Sequence, residues 1–229
     1  MKKVLSFLIG LILTLSVFAQ SSKFNESKWR AEKDSALRAK FQADSLAIDK
    51  EYQEQKKFGL LVDKVTYPLF TYGTYSGVIP VDNVTEKPDP KQDYKLLFEL
   101  TVNNKDSLAG ELNASLVEVE RIINLHIASG IPKEEIFPVI IVHGPALFSF
   151  TNNDYYRSKY KTDNPNMKMM DELEKFGTKV IACGQAMNFL GVPQAALRPE
   201  IKISLTAKTV LSNYQLKGYV LYQIDDPSK

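Results

Sequence analysis

At 229 residues and 44% hydrophobic content, the chain suits one core of ordinary size plus an extension. Its 29 Lys and Arg nearly balance 27 Asp and Glu, so there is no basic surplus for a polyanion and nucleic acid is disfavoured as a partner. A single cysteine, Cys183, forbids an intramolecular disulfide, and with only two histidines no Cys/His cluster remains for zinc.

The chain opens with Lys2 and Lys3, followed by a nearly unbroken apolar stretch from Val4 to Val17. Val17-Phe18-Ala19 then places small residues at −3 and −1 before Gln20. This is the pattern of a signal peptide over residues 1–19, too short for a membrane span. The expected product is exported and periplasmic, with secretion as the alternative and no membrane span after cleavage. The competing reading, an uncleaved anchor, lacks a positively charged stop-transfer flank. Loss of Lys2 and Lys3 brings the mature chain close to neutrality.

Residues 26–58 are charged and rich in Ala, Lys, Glu and Gln, without Gly or Pro, which favours a helix ending at Gly59. Trp29, Leu37, Phe41, Ile48 and Tyr52 form a narrow apolar stripe on it. That stripe either docks on the domain or a neighbouring subunit, or the helix stays solvated. Over 66–92, Tyr67, Phe70, Tyr72 and Tyr75 alternate with Pro68, Gly73, Gly77 and Pro80, and a polar run follows. This reads as an irregular arm anchored by aromatics, then a linker. Residues 20–92 thus form an extension ahead of a domain over 93–229.

From Tyr94 strands and helices alternate. Strands are expected at Tyr94–Thr101, Phe137–Val142, Lys179–Cys183, Glu200–Leu205 and Tyr219–Ile224. Helices are expected at Ser107–Ser129, Asn164–Phe176, Gln185–Leu190 and Ala207–Leu216, closed by Gly130, Gly177, Gly191 and Gly218. Such alternation predicts an α/β fold, a three-layer α/β/α sandwich around a five-stranded, mainly parallel sheet. Functional groups of such sheets gather at the C-terminal strand ends, which directs attention to the loops after Val142 and at Cys183.

His143 follows the second strand directly, and Gly144 frees the backbone beside it, a placement suited to meeting a ligand. The bland alternative is a histidine that caps the strand by hydrogen bonding. Cys183 ends the third strand at the start of a helix, where the dipole and unpaired N–H groups favour a thiolate. The N–H groups of Gly184 and Gln185 are placed to hold an anionic sulfur. Against this, free cysteines are commonly small buried hydrophobes. The polar stretch Thr151–Asn164, with Tyr155, Tyr156, Arg157 and Tyr160, is expected to cover this site or meet another subunit. His126, inside a helix, reads as structural. No dinucleotide fingerprint, Walker loop or nucleophile elbow is present, and no cofactor is expected.

The segment Cys183-Gly-Gln-Ala186 followed by Gly191-Val192 resembles the Cys-x-x-Ala-x-x-x-x-Gly-Val/Ile segment of DsrE- and TusD-like sulfur-relay proteins. Val-Ile-Ile-Val-His143-Gly144, Leu197-Arg-Pro-Glu-Ile and Tyr214-Gln-Leu-Lys-Gly218-Tyr219 resemble further elements of this DsrE/DsrF-like family, in the same order. The likeness runs from Tyr94 to Ile224. It implies the family's fold, a trimer or hexamer, and a persulfide-carrying cysteine at Cys183. Export and the N-terminal extension depart from the cytoplasmic relay proteins. Two readings follow. In the first, a sulfurtransferase-like protein uses Cys183 as nucleophile and His143 for proton transfer, with a sulfur donor or acceptor protein as partner. In the second, a non-enzymatic, homo-oligomeric module of the cell envelope binds a small anion or other small ligand.

Overall fold

The computed structural model describes residues 25–224, so the predicted signal peptide lies outside the described residues. Two compact units divide near residue 60.

The first unit is essentially one helix, α1 (Glu26–Val62), with no buried residue. It runs through Gly59, whose flank is open, rather than stopping there. Trp29, Leu37, Phe41, Ile48 and Tyr52 are all exposed. Surface pairs such as Glu26–Arg30 (2.6 Å) and Lys50–Glu54 (3.8 Å) contribute only tenths of a kcal/mol each. No helix among the described residues is long and apolar enough to cross a membrane.

The second unit holds the arm and the α/β sandwich. Its elements are β1 (Tyr94–Leu100), α2 (Ala114–Ala128), β2 (Ile136–Val142), α3 (Asn153–Tyr160), α4 (Met167–Lys175), β3 (Lys179–Cys183), α5 (Gly184–Leu190), β4 (Lys202–Ser204), α6 (Ala207–Leu216) and β5 (Val220–Ile224). The strands form one sheet in the order β4-β3-β2-β1-β5, parallel at every pairing. The connections from β1 to β4 step in one direction, and the last returns across the sheet to β5 beside β1. Right-handed crossovers therefore put α2, α4 and α5 on one face and α6 on the other. Two cores result. The larger holds Leu96, Phe98, Leu116, Ile123, Ile140 and Met169; the smaller, under α6, holds Leu97, Val139, Ile141, Ile181, Leu211 and Tyr214.

Pro138 sits in β2 without breaking the sheet. It pairs with Leu96 of β1, while the β3 ladder begins only at Val139, so no partner on that side needs the missing N–H.

Three helices depart from the sequence expectation. Instead of starting at Ser107, α2 starts after Asn113, whose side chain accepts from the N–H groups of Ser115 and Leu116; a short 3-10 turn occupies Asp106–Leu108. Helix α4 begins at Met167 rather than Asn164, because Asn164 and Asn166 are spent on buried bonds. Asn164 donates to the carbonyls of Ser149 and Thr151, and Asn166 accepts from the Asn113 N–H at 2.7 Å. The polar stretch 151–164, which falls between the expected elements, contains α3, capped by Asn152 accepting from the Tyr155 N–H. Tyr155 and Tyr160 pack against the larger core, and the Tyr156 hydroxyl donates to the Ala109 carbonyl at 2.9 Å.

The arm packs on the same unit. Asn124, fully buried on α2, accepts from the Leu69 and Phe70 N–H groups and donates to the carbonyls of Phe70 and Ser76. Phe70 is buried edge-to-face on Phe176 at 5.5 Å, whereas Tyr75 stays exposed. The aromatics thus act unequally: Phe70 anchors the arm, and Asn124 holds its backbone. Beside them Glu120 is fully buried, and neither of its carboxyl oxygens has a normal hydrogen-bond partner among the described residues. Burial, reinforced by Glu172 and only partly opposed by the Gly73 backbone, pushes its pKa up to about 8.

Candidate functional site

Strand alternation builds the site. In β1, Leu97 faces the α6 core, so Glu99, two residues on, faces the same way. In β2, Val139 and Ile141 face that core; the backbone stays extended at His143 (φ −150°, ψ 175°), so the imidazole continues their row. In β3, Ile181 and Cys183 belong to the same core. The β2–β3 register ends with Val142 opposite Ala182, which puts His143 opposite Cys183 one step further. Adjacent strands lie about 4.8 Å apart, so these are neighbouring positions at the C-terminal rim.

His143 stands between the other two. Its backbone N–H donates to the Leu100 carbonyl at 3.0 Å, and its Nε2 lies 2.9 Å from Glu99 Oε1. Glu99 is held from two more elements. Gln223, its register partner on β5, donates to Oε2 at 3.0 Å, and the Lys208 ammonium on the first turn of α6 lies 3.5 Å from Oε1. Burial works to raise the Glu99 pKa, but the hydrogen bonds from Gln223 and His143, with the charge of Lys208, hold it below its usual value. Glu99 therefore remains a carboxylate although its side chain is only 6% exposed. His143, at 21%, is the more open of the pair.

Cys183 is 5% exposed and packs with Leu97, Ile181, Ala207 and Leu211. It caps α5 without a side-chain bond. The two glycines here have backbone reasons for their identity. Gly144 has φ +59°, and a Cβ there would meet the Thr101 carbonyl oxygen at 3.1 Å; a Cβ on Gly184 would meet the Ser204 carbonyl oxygen at 2.8 Å. The Gln185 N–H, expected to face an anion, donates to the Leu205 carbonyl at 3.1 Å. That donor closes α5 against the end of β4 and is not left for an anion. Nor do Tyr155 and Tyr160 cover the rim, because they pack on the opposite core.

His126 lies elsewhere, its Nδ1 2.7 Å from the Ile122 carbonyl and its ring edge-to-face with Tyr94. No cluster of three or more His, Cys, Asp or Glu suited to a metal occurs among the described residues. The residues that the sequence reading missed are Glu99, Lys208 and Gln223. A signal for the first was present, because Glu99 is the one acidic residue of its strand and follows the apolar run Leu96-Leu97-Phe98.

Comparison with known proteins places residues 89–222 in a match to the DsrE/DsrF-like family. No curated protein matches. Among solved structures, the protein of unknown function MTH1491 from Methanobacterium thermoautotrophicum matches at 14% identity and a TM-score of 0.43, covering 57% of this chain and 99% of that one.

Proposed function

Because the chain belongs to the DsrE/DsrF-like family, generally linked to sulfur relay, we propose that it carries a persulfide on Cys183. The observation that supports this reading is the rim row of Cys183, His143 and Glu99 on three adjacent strands, with His143 Nε2 held 2.9 Å from Glu99 Oε1.

The step is a sulfane transfer. The Cys183 thiol gives its proton to His143, and its Sγ attacks the outer sulfur of a donor persulfide. The new bond is Sγ–S, and the bond that breaks joins the donor's two sulfurs. The departing thiolate takes the proton back, so one thiol and one persulfide exchange roles with no net oxidation. The donor must reach a thiol that packing against the sheet and α6 nearly closes off.

The test is mass spectrometry of native protein after incubation with a persulfide donor. One added sulfur atom on the wild type and none on Cys183→Ser is the expected result. A thiol that reacts only after denaturation would mark Cys183 as core packing.

A second reading has its own observation. Phe189, Ile203 and Leu205 are exposed around the β4 edge, and α1 buries none of its apolar residues. In this reading the protein is an exported homo-oligomeric assembly or binding module, and a chain beginning at residue 61 separates assembly by α1 from assembly by the sandwich. Unchanged size on removing α1 assigns assembly to the sandwich.

A further inference from the structure

The row of side chains on the α6 face of the sheet is apolar at Leu97, Val139, Ile141 and Ile181, and then acquires a buried negative charge at Glu99. A leucine there would be the cheaper choice, because a carboxylate in this layer loses its hydration and must be compensated by partners. Glu99 has three, contributed by β2, β5 and α6: His143 at 2.9 Å, Gln223 at 3.0 Å and Lys208 at 3.5 Å. The Gln223 and Lys208 contacts are with a neutral amide and an exposed ammonium, so they hold the carboxylate in place. The His143 contact does more, because it selects between the two ring nitrogens.

We propose that Glu99 is the positioning residue of this site, accepting the Nε2–H of His143 and leaving Nδ1 as the ring's free acceptor next to Cys183. Three observations carry this. Glu99 is a carboxylate, which accepts hydrogen bonds and cannot donate one, so the nitrogen facing it must bear the proton. No other group among the described residues bonds Nδ1 of His143. The strand order places Glu99 and Cys183 on opposite sides of His143, one on β1 and the other on β3.

When Nδ1 takes the thiol proton, the ring becomes an imidazolium, and the fixed charge of Glu99 stabilises it. Glu99 keeps its own charge throughout, and the proton leaves again from Nδ1 to the departing thiolate. Among the titratable groups around the ring, Glu99 bonds it directly, Lys208 reaches it through Glu99 Oε1, and Cys183 is its register neighbour on β3. The inference rests on the persulfide reading for the reaction served, but its geometry can be tested separately.

The experiment is nitrogen NMR of imidazole-labelled full-length protein near neutral pH, paired with the rate of Cys183 alkylation in wild type and Glu99→Gln. The wild type should show the Nε2-protonated tautomer at His143. Glu99→Gln, whose amide can either donate or accept, should mix the tautomers and slow alkylation about tenfold. A wild-type His143 protonated on Nδ1 overturns the proposal and requires no variant to fold. Unchanged tautomer and rate in Glu99→Gln overturn it as well. Failure of Cys183 to gain sulfur in the wild type, with the tautomer as expected, removes the persulfide reading and leaves the positioning role intact.

Discussion

Replacing Glu120 by Gln should abolish a large pH dependence of stability. Glu120 is fully buried on α2 with neither carboxyl oxygen normally hydrogen-bonded, and its pKa rises from 4.5 to about 8. A carboxyl whose folded pKa lies above its unfolded value binds its proton more tightly in the native state. Its contribution is therefore complete below about pH 4.5 and is lost as pH climbs towards 8. Each pKa unit corresponds to about 1.4 kcal/mol, so the native state should lose about 4 kcal/mol between roughly pH 5 and 8 from this group alone. For a domain of this size that is a fall in Tm of roughly 8–16 °C. Scanning calorimetry across that range, comparing wild type with Glu120→Gln, isolates the effect because other titrating groups cancel in the difference. The glutamine variant should overtake the wild type as pH rises. Parallel curves would refute the reasoning, because they would mean that water or a local opening solvates the carboxylate at little cost. The arm should feel the loss first. A Cβ placed on Gly73 would lie 3.2 Å from Glu120 Oε2, so the arm backbone is the surface that closes over this carboxyl. Hydrogen exchange should therefore accelerate in residues 66–78 before it does in β1 or β2.

Asn124→Ala should cost about 2–4 kcal/mol in chemical denaturation, because four backbone groups of the arm lose their partner in a buried setting. It should also expose Phe70, and limited proteolysis within the arm would show this. Gly144→Ala should cost about 1–2 kcal/mol, because its φ of +59° is unfavourable for a side chain and the new Cβ presses on the Thr101 carbonyl. A variant as stable as wild type would show that the turn relaxes freely.

Strand order, helix faces and the candidate row were legible to different degrees. The five strands fall within a few residues of their expected places; β1 and β2, buried on both faces, appear as short continuous apolar runs, whereas the exposed edge strand β4 is marked only by its place in the alternation. Helix starts were harder to read. Asn113, Asn152 and Asn166 look alike as polar loop residues, yet the first two cap helices and the third accepts from a distant backbone N–H. Only their three-dimensional partners separate these roles. Glu120 carried a readable signal, because it falls four residues after Leu116 and three before Ile123, on the inward stripe of α2. A charge on that stripe points to burial, although its missing partners cannot be seen in one dimension.

The sequence by itself determined the alternating α/β pattern, the resemblance to the DsrE/DsrF-like family, and the placement of His143 and Cys183 at strand ends. These are local properties, set by side-chain period and by neighbours within a few residues. The tertiary structure alone decided which strands adjoin, and therefore that Glu99 meets His143 across 44 residues of chain and Gln223 across 124. It also decided that the Gln185 N–H is consumed by Leu205 rather than left for a ligand. The physical reason is that hydrogen bonds act over about 3 Å in space. Two residues come within that reach through sheet order and register, which the packing of the whole chain selects.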